Sequence, residues 1–267
     1  MGFSLRKALA LFRVWMQDGI AYRAAGVIWI LADGVPAMIM PLVWIAAVPE
    51  GGTIGGFTAQ QFVLYYLVLL LFSNFITSHL MWELAEDIKN GTLSIHLLRP
   101  VSYFQVCSIR NFVWRLLRTT LFAPIFGLLL LAYWRNLDFT GSYFGWQVWL
   151  SVFLGHLVSY SLVYMLSMLA LFLEEARAVF EFYYFPMLFL SGQLFPIHLL
   201  PEWASRAATY LPFYYTTALP TDLAVGRVPV ESCLPLLLVQ AGWIFAHFWV
   251  ATLLWKPGLR QYTGVGM

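Results

Sequence analysis

The chain has 267 residues, of which 61% are hydrophobic and only 10% charged, with a net charge of +2. Soluble domains hold roughly 45–50% apolar and about 25% charged residues, so this balance excludes a water-soluble globule and indicates a polytopic membrane protein. An aromatic content of 18% suits a protein that anchors many helix ends at the two membrane interfaces.

Taken in chain order, the first segment is amphipathic. Leu5, Ala8, Leu9, Phe12, Trp15, Met16 and Ile20 recur at helical spacing, while Arg6, Lys7, Arg13 and Gln17 fall elsewhere on the wheel. This pattern predicts an interfacial helix lying along the inner leaflet. The apolar run from Ala8 to Phe12 is too short for a secretory core. Arg6 stands where a myristoylation motif needs Ser or Thr, so the N-terminus is expected to be cytoplasmic and unmodified.

The first span is expected over residues 24–48, broken by Asp33, Gly34, Pro36 and Pro41, and the second over residues 60–81 after a glycine-rich turn. A carboxylate at membrane depth is costly, so Asp33 is a candidate for the transport path, with a packing or capping role as the alternative. Residues 112–134 form a third span. Its cytoplasmic end carries Arg110, Arg115 and Arg118, expected to snorkel into headgroups or, alternatively, to line a basic substrate stripe. A fourth span is expected over residues 146–173, a polar turn with Glu174 and Glu175 follows, and a short fifth span covers residues 178–194. Residues 195–215 are too polar and too rich in proline to cross, and are expected to dip into or lie on the outer interface. A sixth span covers residues 232–255.

Six spans with the N-terminus inside place Arg6, Lys7, Arg13, Arg23, Lys89, Arg99, Arg110, Arg115, Arg118, Arg177, Lys256 and Arg260 inside, and Arg135, Arg206 and Arg227 outside. This split of 12 against 3 follows the positive-inside rule. Cys107 and Cys233 then lie near opposite faces of a core about 30 Å thick, beyond the reach of a disulfide. With no repeat and no linker, residues 1–267 read as a single all-α membrane domain.

Motifs for chemistry are missing. The lysines Lys7, Lys89 and Lys256 follow Arg6, Ile88 and Trp255, so no Gly-Lys phosphate loop exists. Leu190-Ser191-Gly192-Gln193 matches a nucleotide-contacting signature by chance, inside an apolar span. His79 and Glu83 share a helix face, but no second cluster completes a metal shell. No nucleophile elbow occurs. No catalytic residue, metal or bound cofactor is expected, and no nucleic-acid partner.

The stretch 83–100 combines acids, a break at Asn90-Gly91, an apolar patch and a proline stop. Thr92 is expected to cap a short helix on which Leu93, Leu97 and Leu98 form the patch, with Ile95 beside it and Arg99 ahead of Pro100. Such a knob fits a groove on a partner protein. An ordinary juxtamembrane loop resting on headgroups is the alternative.

Residues 86–103, Glu-Asp-Ile-Lys-Asn-Gly-Thr-Leu-Ser-Ile-His-Leu-Leu-Arg-Pro-Val-Ser-Tyr, resemble the stretch after the second span of permease subunits of type-2 ABC exporters, in particular their six-span bacterial subfamily. Phe195-Pro196 through Pro201 to Leu211-Pro212-Phe213 is similar to that subfamily's re-entrant extracellular helices, and residues 258–266 to its ending. The resemblance implies that two permeases pair, as a homodimer or with a paralogue. Two cytoplasmic ATPases, which bind ATP and Mg, dock beneath. Glu86, Asp87, Gly91, Thr92, Leu93, Leu97, Leu98, Arg99 and Pro100 would form the coupling helix, and Phe195, Pro196, Pro201, Pro212 and Phe213 would belong to the outer gate. The implied location is the bacterial inner membrane with both termini cytoplasmic. An ATP-independent secondary transporter using Asp33, or a membrane scaffold, is the second reading.

Overall fold

The computed structural model describes residues 4–173 and 176–262, with the backbone alone for Asp33, Pro36, Ala37 and Arg177. The described residues form helices and turns, with no strand beyond one isolated bridge between Ile54 and Phe57. Helix α1 (Leu5–Ala21) starts at Ser4, whose hydroxyl accepts from the Lys7 amide. Helix α2 (Arg23–Ala47) runs unbroken for 25 residues, about 37 Å. The expected interruption at Gly34, Pro36 and Pro41 is therefore corrected. A proline removes only one donor, and α2 lies along α3 and α6, the kind of neighbours that let a span tolerate it.

Helix α3 (Ala59–Ile76) opens with a reciprocal cap between Thr58 and Gln61 and is buried along most of its length. It stops at Thr77, and α4 (Leu80–Lys89) begins three residues later. The second span was expected to run on to residue 81. The break at Thr77-Ser78-His79 corrects that boundary. Helix α5 (Thr92–Leu98) follows, then α6 (Tyr103–Tyr133), again with a reciprocal cap, between Ser102 and Gln105. Helix α6 starts well before the expected residue 112, because that cap allows a helix wherever a partner surface exists, and α1 supplies one.

Helix α7 (Trp146–Ser167) ends in a tight turn over Met168–Leu171, and α8 (Arg177–Leu190) is a shorter apolar helix with Pro186 inside it. The segment before the last long helix contains α9 (Glu202–Thr209), a π-turn over Tyr214–Ala218 and α10 (Leu219–Ala224). Helix α11 (Cys233–Gln261) continues past Lys256-Pro257, further than expected.

Among the described residues, four stretches are long and apolar enough to cross a membrane: Ala59–Lys89, Tyr103–Asn136, Trp146–Leu171 and Val230–Gln261. Helix α7 is central, packed between α3 and α11. One apolar cluster joins α4, α5, α7, α8 and α11 at one end of the bundle; a second joins α3, α7, α10 and α11 toward the other. A third joins α2, α3 and α6. Cys107 and Cys233 are buried and unbridged.

Candidate functional site

The break between α3 and α4 leaves backbone groups without helical partners inside a stretch of membrane-spanning length. Each such group is costly in apolar surroundings, and side chains from α6 and α7 take them up. Arg115 donates to the carbonyls of Thr77 and Asn74. The Ser78 amide donates to Ser159 Oγ at 3.0 Å. His156 Nδ1 lies 3.1 Å from the Ile76 carbonyl and must donate to it. Its Nε2 therefore accepts from Asn111 Nδ2 at 3.2 Å. Asn111 Oδ1 accepts from Ser78 Oγ at 2.9 Å. Arg118 Nε reaches Asn74 Oδ1 at 3.1 Å. The outcome is a polar cross-brace that holds a kink in place.

This geometry overturns the headgroup reading of the arginines. Arg110, Arg115 and Arg118 are all buried. Arg110 Nε lies 2.7 Å from Glu83 Oε2, and its Nη1 is 3.6 Å from Asp87 Oδ2. Its guanidinium also covers the Trp15 ring at 5.1 Å, which ties α1 to α4 through α6. A buried charge needs such partners, and the shared helix face that suggested snorkelling turns inward instead.

The segment 83–100 is built on these anchors. Gly91 takes φ 72°, a left-handed conformation that other residues reach only at a cost. It is Gly91, not Thr92, that caps α5, so the expected cap moves by one residue. Leu93 is fully buried and joins the cluster of α4, α6 and α7, which corrects its place in the exposed patch. Burying one leucine contributes about 1.5–3 kcal/mol, enough to seat a seven-residue helix that would not form alone. His96 packs inward beside it with its ring edge on Tyr103 at 5.5 Å. Burial lowers the imidazole below its ordinary value, against the pull of Asp87.

What remains outside is Ile95, Leu97 at 43% and Leu98 at 88% exposure, followed by exposed Arg99 and Pro100. Glu86 is also exposed, whereas Asp87 is largely buried and accepts from the Tyr103 hydroxyl at 2.6 Å. Lys7 Nζ donates to the Pro100 carbonyl at 2.9 Å, and the Ser94 hydroxyl meets that of Tyr262 at 3.1 Å. The apolar tip is thus a rigid protrusion gripped from α1, α4, α6 and α11.

At the opposite end, residues 214–224 form a wholly buried plug. Gly155 of α7 makes room for it: a Cβ there would stand 2.4 Å from the Thr216 carbonyl. Tyr65 and Tyr66 donate to the carbonyls of Gly192 and Leu194, and Thr217 to that of Ser191, fastening the end of α8. Of the residues expected at a gate, Pro196 and Pro212 are buried, Phe195 is half-buried and Pro201 exposed. Phe213 packs on Tyr183 with ring centroids 5.8 Å apart. His198 Nε2 stands 3.3 Å from Oδ2 of the fully buried Asp222. Burial raises the Asp222 carboxyl, and the bond to that carboxyl raises His198.

Asp33 lies in α2, with its side chain outside the described residues. Residues 263–266 of the terminal motif, Glu174 and Glu175 are also outside them. No cluster of three His, Cys, Asp or Glu gathers to hold a metal among the described residues. Sequence reasoning missed the cross-brace of Asn74, Ser78, Asn111 and His156, and the Asp222 pair. The available signal was one or more polar residues within each of three consecutive spans, the default mark of an internal network.

A comparison with curated proteins gives no match. A family model does match: residues 35–266, nearly the whole chain, fit the model described as ABC-2 family transporter protein. That family implies association with ABC ATPase subunits and with the membrane. Its long apolar helices and this match together make the chain a multi-pass membrane permease belonging to the ABC-2 transporter family.

Proposed function

We propose that the chain is the permease of an ATP-driven exporter in the bacterial inner membrane, with six spans, both termini cytoplasmic, and a second permease copy or paralogue completing the path. The observation that carries the reading is the α5 protrusion. Leu97, Leu98 and Arg99 stand outside, while Leu93 and His96 on the same helix are locked into the bundle. A soft loop would absorb a partner's push. A helix seated by its own core residue passes the push to α4, and through the Arg110 ion pairs to α6. The charge distribution of 12 against 3 supports a cytoplasmic position for this end. In this reading ATP and Mg are bound by the partner ATPases, and the buried plug with its flanking prolines is the outer gate.

The test is to tag the chain in its native membrane and purify it with whatever it holds. A stoichiometric ATPase is expected with the natural protein, and its loss or uncoupling with Leu98→Asp. A chain that purifies without an ATPase and transports without ATP overturns the reading in favour of a secondary transporter.

A further inference from the structure

The coupling reading leaves unused an open apolar groove where α1 crosses the first turns of α6. It encloses about 420 Å3 and is lined chiefly by Ala8, Leu9 and Phe12 of α1 and by Phe104, Ser108 and Phe112 of α6. Leu9, Phe104 and Phe112 are each roughly half exposed. Among the described residues, no acidic one lines the groove. Apolar surface of this kind on a membrane protein meets lipid by default, so the question is whether anything selects one lipid.

The cations on α1 supply a selector. Arg6 lies three residues before Leu9 and Arg13 four after it, so both flank Leu9 just outside the edge of the apolar stripe. Seven residues apart, they differ in direction by only about 20°. Both are exposed, and no acid pairs with either among the described residues. The one acid of α1, Asp18, is five residues beyond Arg13, about 140° around the helix. The groove therefore has an apolar floor and an unneutralised cationic rim on one side, at the end of the bundle to which the charge distribution assigns the inner leaflet.

We propose that this groove binds an anionic phospholipid of the bilayer, with an acyl chain against Leu9, Phe12 and Phe112 and the phosphate between Arg6 and Arg13. The inference rests on the membrane placement of the chain and not on ATP coupling. Helix α1 also donates to the Pro100 carbonyl through Lys7, so the lipid site and the α5 protrusion share one rigid element.

The full chain reconstituted in nanodiscs of phosphatidylcholine with a minor share of phosphatidylglycerol tests this. After mild detergent extraction, native mass spectrometry reads which lipid is retained. An arginine beside an anionic surface contributes roughly a fivefold preference, so Arg6→Ala with Arg13→Ala is expected to reduce selective retention of phosphatidylglycerol by about 25-fold. Ala8→Trp, which fills the groove and leaves both arginines, is expected to abolish retention of that lipid. Lys256→Ala with Arg260→Ala, remote in sequence and on α11, is expected to leave it unchanged. Unaltered preference in the arginine variant, or an equal loss in the α11 variant, overturns the proposal. Circular dichroism and gel filtration of each variant separate loss of the site from loss of the fold.

Discussion

Replacing His156 by leucine probes the cross-brace at the helix break directly. The substitution removes the donor to the Ile76 carbonyl and the acceptor for Asn111 Nδ2, both buried. Interhelical hydrogen bonds in membranes average about 0.6 kcal/mol, which gives a floor of about 1.2 kcal/mol for the two. A buried group left without a partner costs about 1–3 kcal/mol, which raises the ceiling to about 6 kcal/mol if neither of the two groups finds a substitute. Equilibrium unfolding in mixed micelles, followed by the fluorescence of the 12 tryptophans, measures the loss. A double-mutant cycle with Asn111→Ala is sharper. Once Asn111 is gone, His156 has only the Ile76 bond to lose, so the two changes should fall short of additivity by about 0.5–1 kcal/mol. Additivity within about 0.3 kcal/mol, or a stable His156→Leu, would refute the network.

Three further outcomes follow from local geometry. Gly91→Ala must hold a left-handed backbone and should destabilise the α5 junction by about 1 kcal/mol, raising proteolysis between α4 and α5, whereas Gly91→Asn should cost less. Gly155→Ala places a methyl group against the Thr216 carbonyl and should loosen the plug, read as faster labelling of a cysteine introduced at Thr216. The His198 and Asp222 shifts are both upward, so the folded state holds more protons than the unfolded one and stability falls as pH rises. The His198 contribution is complete below its unfolded value near 6.5 and is lost as pH climbs through the folded value. Thermal melts from pH 6 to pH 9 should show this decline, and His198→Gln should flatten it; a melting point that rises with pH contradicts the pairing.

Much of the architecture was legible in the chain because apolar length and charge bias are one-dimensional signals. The amphipathic α1, the long runs over α6, α7 and α11, and the break at Gly91 each follow from local pattern. The remainder depends on what faces what. Arg110, Arg115 and Arg118 share a helix face by spacing alone, but spacing does not say whether that face meets lipid headgroups or Glu83 and the Thr77 carbonyl. Thr77-Ser78-His79 contains no strong helix breaker, so the kink exists only because α6 and α7 satisfy the groups it frees. Leu93, Leu97 and Leu98 look alike in sequence. A single turn sends the first inward and leaves the last almost fully exposed. Asp222 escaped notice because its His198 partner lies 24 residues earlier in the chain, on a separate short turn.

Force transmission from a partner ATPase through α5 is decided by comparing the natural chain with one variant. The complex purified from native membrane with its ATPase, reconstituted in proteoliposomes, should export cargo on addition of ATP. The Leu98→Asp variant should be inserted and melt as the natural chain does, because that side chain is exposed, yet lose ATP-driven export. Export at the natural rate by a stably folded Leu98→Asp permease would contradict the coupling role.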